Sequence, residues 1–431
     1  MKMARVVITA LGLLASAPCV QAADVAVPPF YKAAATLSAD GPLGTVLAKE
    51  SVDTAIPNAE AWRIAYVSSD VAGNKTIATG LLIAPKGAPP AEGRPILAWA
   101  HGTTGTAQNC GPSQVLDPAQ DMNQYFLVGG TSSTDFGLPA ATHFIAQGYV
   151  LVATDYQGLG GGGIHQYAMA STNGRDVINS VRAAGSLGLS GGAEKAAVYG
   201  WSQGGGATLA AGSLKDYIGE TGTAFDGITF VGFVAMAPEE IAVLIPPGAT
   251  EQAAATKMMG DISNTFGDSL FNFAHFVMAM WAMPSAFPEL KFTDLFTEDA
   301  APMLTEIVSK KCIHVAGDTM GVAVGSDFKS VLKAQPENAS AWVKALIKSS
   351  VDPVVPVAPV IIYYGTKDIT VPPALGALYQ KQMCGMGANV TRVQLPGEQT
   401  HYTTPPTAQP MFVPWIEDRF AGKPVANGCT P

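Results

Sequence analysis

The segment Ala196-Ala197-Val198-Tyr199-Gly200-Trp201-Ser202-Gln203-Gly204-Gly205-Gly206 decides the fold. Its first half is a short, almost wholly apolar run, the composition of a strand buried on both faces. Its second half is a string of small residues that opens a helix. Between them Gly200, Ser202 and Gly204 stand in the G-x-S-x-G spacing. A bare match to that spacing is weak, and its bland alternative is a plain glycine-rich turn. Strand, sharp turn and helix in that order make it strong: the glycines let the chain reverse, and the serine is exposed on a strained turn with its oxygen near a helix N-terminus.

Working outward, strand-like runs recur at Arg63–Ser69, Thr76–Ala84, Pro95–Ala100, Tyr149–Thr154, Thr229–Ala235, Pro359–Tyr364 and Val390–Leu395. With Ala196–Trp201 they make eight. Helical patterns lie at Arg175–Leu187 and Gly204–Tyr217. The alternation predicts an α/β fold, a mostly parallel sheet covered by helices on both faces. It stops once, between about Pro238 and Ser350. That stretch is rich in Met, Phe and Ala and ends before the Pro-rich Asp352–Pro359, so it reads as helices inserted after the sixth of these strands. The expected organisation is a leader over residues 1–22, a core over 23–237, a helical cap or lid over 238–350, and the rest of the core over 351–431.

A serine nucleophile needs a base, and the base needs an orienting acid. Of six histidines (His101, His143, His165, His275, His314 and His401), only His401 follows the last strand. The apolar strand Ile361–Tyr364 ends in a turn that carries Asp368, so the chain order is Ser202, Asp368, His401. Glu239 and Glu240 are the alternative acids. A tetrahedral intermediate also needs donors for its oxyanion. One is the backbone N–H of Gln203; the other belongs to the turn His101-Gly102-Thr103-Thr104-Gly105, at Thr104 or Thr103. His101 reads as support for that turn.

Composition bounds the rest. The chain has 431 residues, 48% of them apolar and 14% charged, against about 25% charged in an average domain. It is therefore not a disordered chain. Its net charge of −9 argues against nucleic acid. Lys2 and Arg5, the apolar run Val6–Ala17 and Val20-Gln21-Ala22 have the order of a secretory leader cleaved after Ala22. Removing it takes two cations and no acid, which moves the charge from −9 to −11. Export makes the protein secreted or periplasmic. The four remaining cysteines, Cys110, Cys312, Cys384 and Cys429, then read as two disulfides in any of three pairings. No cysteine spacing implies a metal. Gly158, Gly160 and Gly163 fit a dinucleotide fingerprint, but no helix opens from them, and they read as a mobile loop near the site. No nucleotide or other cofactor is expected.

From Phe266 the apolar positions Leu270, Phe273, Val277, Met280 and Trp281 share one helical face. Phe273, Val277, Met280 and Trp281 are expected to line an acyl-binding cleft or meet a lipid interface. The competing reading packs them in the cap's own core.

The chain resembles the α/β-hydrolase fold, and within it the secretory lipases of Candida-type yeasts. The resemblance rests on the Gly200–Gly204 elbow, Asp155–Gly160, Asn109-Cys110-Gly111-Pro112-Ser113, Asp368 with Val371-Pro372, His401, and the position of the helical insertion. It covers nearly all of the chain after the leader. It implies a Cys110–Cys312 disulfide, and with it a Cys384–Cys429 pair. It also implies a lipase or carboxylesterase acting on acyl esters or lipids through an acyl-enzyme on Ser202. The rival expectations are a cap-gated peptidase using the same three residues, and an inactive binding protein on this fold.

Overall fold

The computed structural model of the chain describes residues 27–240 and 245–429; the expected leader lies outside them. Among the described residues nine strands form one sheet: β1 Val46–Val52, β2 Ala59–Ser69, β3 Lys75–Pro85, β4 Ile96–Ala100, β5 Val150–Gln157, β6 Lys195–Trp201, β7 Thr229–Met236, β8 Val360–Tyr364 and β9 Val390–Gln394. Their order is β1-β2-β3-β5-β4-β6-β7-β8-β9. The first four in that order pair antiparallel, and the rest are parallel from β5 onward. The sequence predicts eight strands, and the structure adds β1. That strand lies at the sheet edge, and its Lys49, Glu50 and Ser51 interrupt any apolar pattern. The helical insertion therefore follows the seventh strand in chain order, not the sixth.

Alternation along each central strand sends side chains to two buried faces. Ile96, Ala98 and Ala100 of β4 and Val198 of β6 join one cluster, with Val177 and Val181. Leu97, Trp99, Tyr199 and Trp201 join the other, with Phe144, Phe412 and Ile416. The helices are α1 Pro29–Ala34, α2 Ala141–Ala146, α3 Ala170–Ser186, α4 Gln203–Ser213, α5 Lys215–Ile218, α6 Gln252–Phe266, α7 Leu270–Ala282, α8 Ala301–Lys310, α9 Ile313–Val324, α10 Ala339–Ser349, α11 Pro373–Gly385 and α12 Thr404–Phe420. Thus α3, α4 and α11 cover one face of the sheet, and α2 and α12 the other.

Helices α6 to α10 bury a separate apolar cluster that includes Phe273, Leu304, Met320 and Trp342. Trp342 donates its indole N–H to Asp294 at 3.0 Å, which satisfies the one polar atom that its burial brings along. The insertion is fastened to the turn after β4. Cys312 bonds to Cys110, the Ile313 N–H donates to the Thr104 carbonyl at 2.9 Å, and the Thr106 hydroxyl donates to the Val308 carbonyl at 2.6 Å. The second disulfide, Cys384–Cys429, holds the C-terminal segment to α11.

The Gly158–Gly163 loop, expected to be mobile, is tied down instead. The Gln108 side chain donates to the carbonyls of Gly158 and Gly163, and its oxygen accepts from the N–H groups of Gly160 and Gly162. Among the described residues, no helix is long and apolar enough to cross a membrane, and no cluster of His, Cys, Asp and Glu is placed to hold a metal.

Candidate active site

Ser202 sits between β6 and α4 with φ 58° and ψ −121°, a strained conformation for a residue with a Cβ. The elbow survives because its neighbours are glycines. A Cβ on Gly204 would lie 1.9 Å from the Ala100 carbonyl oxygen, and one on Gly200 would lie 2.2 Å from that of Gly204. The turn is pinned from the next strand, since the Ser202 N–H donates to Met236 and the Ser202 carbonyl accepts from Glu239.

Three side chains meet there. Ser202 Oγ lies 2.8 Å from His401 Nε2, and His401 Nδ1 lies 2.8 Å from Asp368 Oδ2. Because the carboxylate only accepts, Nδ1 carries the proton, and Nε2 is left to accept from the serine hydroxyl. Asp368 Oδ1 accepts from the N–H groups of Thr370 and Val371, which fix the carboxylate. Trp201 donates its indole N–H to the His401 carbonyl at 3.1 Å, so the elbow also places the imidazole. All three residues are buried. Of the alternative acids, Glu240 accepts from the Val351 N–H, and Glu239 lies with it in a separate small cavity. Neither is a hydrogen-bond partner of His401.

Gln203 is the first residue of α4, so its N–H has no partner inside the helix. Its side chain is anchored away from the serine, donating to Asn173 at 3.0 Å and to His165 Nε2 at 3.1 Å. His165 Nδ1 gives its proton to the Gln157 carbonyl, and burial pushes its pKa down to about 3, so the ring stays a neutral acceptor. His101 is likewise buried, with its pKa at about 4; its neutral ring has a single N–H, and Nδ1 lies 2.6 Å from the Gly102 carbonyl in the turn it braces. Of the two threonines, Thr103 lines the cavity beside Ser202 and its hydroxyl meets Tyr167 at 2.9 Å. Thr104 is fully buried outside that cavity, and its carbonyl is committed to Ile313.

The cavity itself is about 20 Å³, room for one water. Phe271 and His275 of α7 and Ile313 and His314 of α9 line one side of it. The expected acyl-binding face of α7 points elsewhere. Phe273, Val277 and Met280 are buried in the helical cluster, Phe273 stacks on Phe328 at 5.0 Å, and Trp281 packs against the same cluster. That face is the more continuously apolar one, so it goes to the core. Phe271 and His275, one turn apart on another face, meet the site. Their i, i+4 spacing was readable in the sequence, but the choice of face was not.

The profile of the family described as secretory lipase matches residues 127–242 and 255–428. Among curated relatives, Lipase 9 of Candida albicans is 23% identical across 85% of this chain and 75% of its own length. The Probable inactive lipase MT1628 of Mycobacterium tuberculosis is 25% identical across 89% and 80%. Among solved structures, Candida antarctica lipase A superposes with a TM-score of 0.68 at 20% identity, covering 94% of this chain and 88% of that one. The rice cell wall degrading esterase LipA from Xanthomonas oryzae gives 0.62 at 17% identity, covering 89% and 100%. These likenesses show the α/β-hydrolase fold.

Proposed function

The chain belongs to the secretory lipase family, and from that premise we propose that it is a serine hydrolase that cleaves carboxylic esters through an acyl-enzyme on Ser202. The observation that carries this reading is the pair of 2.8 Å hydrogen bonds running from Ser202 through His401 to Asp368. Ser202 Oγ attacks the acyl carbon while His401 Nε2 takes its proton. The Gln203 N–H and an N–H of the Thr103 turn receive the oxyanion; Thr103 is preferred over Thr104 because it lines the cavity. His401 returns the proton to the leaving alcohol. It then activates a water that releases the acid and restores the serine. Asp368 holds the tautomer and stabilises the imidazolium.

The inserted helices act as a cover. Phe271 and His275 of α7 and Ile313 and His314 of α9 stand over Ser202 and line the narrow space a substrate would enter. Two disulfides support an oxidising destination, secreted or periplasmic, consistent with the expected leader. The test is active-site titration. A nitrophenyl ester should give a burst of one nitrophenol per chain, and a fluorophosphonate should label Ser202. Failure of both in folded protein would leave the inactive-protein reading.

A further inference from the structure

Ester hydrolysis does not use all the hydrogen-bonding groups around Ser202. The cavity is also lined by Asp135, His275, His314, Thr370 and Tyr402. Two of these are acceptors at neutral and alkaline pH. His275 Nδ1 donates to the Phe271 carbonyl at 2.7 Å, which leaves Nε2 without a proton, and burial keeps the ring neutral with a pKa of about 4. Asp135 is buried, and one carboxylate oxygen accepts from the Tyr125 N–H at 2.6 Å. Among the described residues, no donor reaches its second oxygen or His275 Nε2. Both acceptors line the space beside Ser202 and are open to a donor that a bound substrate brings. A triacylglycerol brings only acceptors and alkyl chains. The apolar face of α7 that would welcome long chains is spent in the helical cluster.

We propose that the preferred ester carries free hydroxyl groups close to the scissile bond, and that His275 and Asp135 are the specificity residues that accept them. This rests on the serine-hydrolase reading above. The hydroxyls belong to the alcohol, as in a partial glyceride or sugar ester, or to the acid, as in a hydroxyacyl ester; the chemistry recognised is the same.

The experiment uses the full chain at pH 8, where Asp135, with burial raising its pKa to about 6, is ionised. Two matched pairs separate the sources. Glycerol 1-monobutyrate is compared with 2,3-dimethoxypropyl butyrate, and methyl 3-hydroxybutyrate with methyl 3-methoxybutyrate. Each second member keeps the acceptors and loses the donors. The hydroxylated member should have kcat/KM higher by roughly tenfold or more in at least one pair, because a site built to bond a hydroxyl discriminates strongly against its absence. His275→Phe and Asp135→Asn should each pull that ratio toward one, whatever happens to absolute rates. Thermal unfolding confirms that each variant is folded, and the second variant serves if the first is not. Smaller ratios in both pairs overturn the proposal, as does a wild-type ratio retained in the folded variants. If Ser202 resists the fluorophosphonate and no ester is cut, the hydrolase reading itself has failed.

Discussion

The backbone N–H of Ile313 donates to the carbonyl of Thr104 at 2.9 Å, joining the inserted helices to the turn that borders the serine. Ile313 begins α9 and also lines the cavity of Ser202, so one residue reports on both the cover and the site. The Cys110–Cys312 disulfide anchors the same place. The inserted helices are thus anchored at the turn proposed to supply an oxyanion donor. A shift of α9 by more than the reach of that hydrogen bond would disturb the turn as well.

Loss of the two disulfides should therefore be unequal. Cys110–Cys312 closes 202 residues and Cys384–Cys429 closes 45, so loop entropy alone makes the first more stabilising by about 1 kcal/mol. Urea unfolding of paired Cys→Ala variants measures this. The first variant should also lose turnover that the second keeps. Equal activity in both would break the link between this anchor and the site.

Ser202→Ala and His401→Ala should each reduce kcat about 10⁶-fold, and Asp368→Asn about 10⁴-fold, because the acid only orients and stabilises the base. Pre-steady-state kinetics should lose the burst only when Ser202 is gone or unactivated. Wild-type rates in Asp368→Asn, with loss in Glu239→Gln or Glu240→Gln, would falsify the assignment of the acid.

Stability should bend with pH around the buried histidines. His165 is fully buried with its pKa lowered to about 3, against about 6.5 unfolded. Between those values the unfolded chain takes up a proton that the folded chain refuses. The stability it contributes is present above about 6.5 and is lost as pH falls toward 3, at roughly 1.4 kcal/mol per pH unit. His101 adds the same sign, while Asp155 and Asp176, raised to about 6 and about 7, oppose it. The single-group test is a difference. His165→Asn should flatten the rise of unfolding free energy between pH 4 and 6.5 by about one proton relative to wild type. Parallel curves would show that His165 does not titrate this way.

The fold was legible where local signals agreed. Gly200 to Gly204 states a turn that only glycines permit, and β4, β6 and β8 are apolar on both faces because both faces are covered. The edge strand β1 was not legible. Its pairing with β2 is backbone work, and Lys49 to Ser51 face away from any core. Ser202, Asp368 and His401 were legible as candidates from the elbow motif, the strand ends and their chain order together. The wall opposite them does not. Asp135, His314 and Tyr402 come from segments more than 80 residues apart, and their meeting depends on how the insertion folds over. The same limit left both readings of α7 open, and the structure packs Phe273, Val277 and Met280 into the helical cluster.

That helix gives the last prediction. Phe273 is fully buried between Phe296 and Phe328, whereas Phe271 is half-buried against the cavity, 4.3 Å from His275 and 6.3 Å from Tyr402 by ring centres. Removing a packed ring costs the transfer energy plus a cavity, about 3–5 kcal/mol for Phe→Ala in a core. Phe273→Ala should therefore lower the unfolding temperature markedly and depress short- and long-chain esters alike. Phe271→Ala should leave stability close to wild type. It should raise the ratio of long- to short-chain turnover, because a ring is deleted from the wall of a space that holds one water. Nitrophenyl acetate, butyrate and decanoate, assayed beside thermal unfolding, separate the two variants. A chain-length shift in Phe273→Ala but not in Phe271→Ala would return the acyl-binding role to the face that the structure buries.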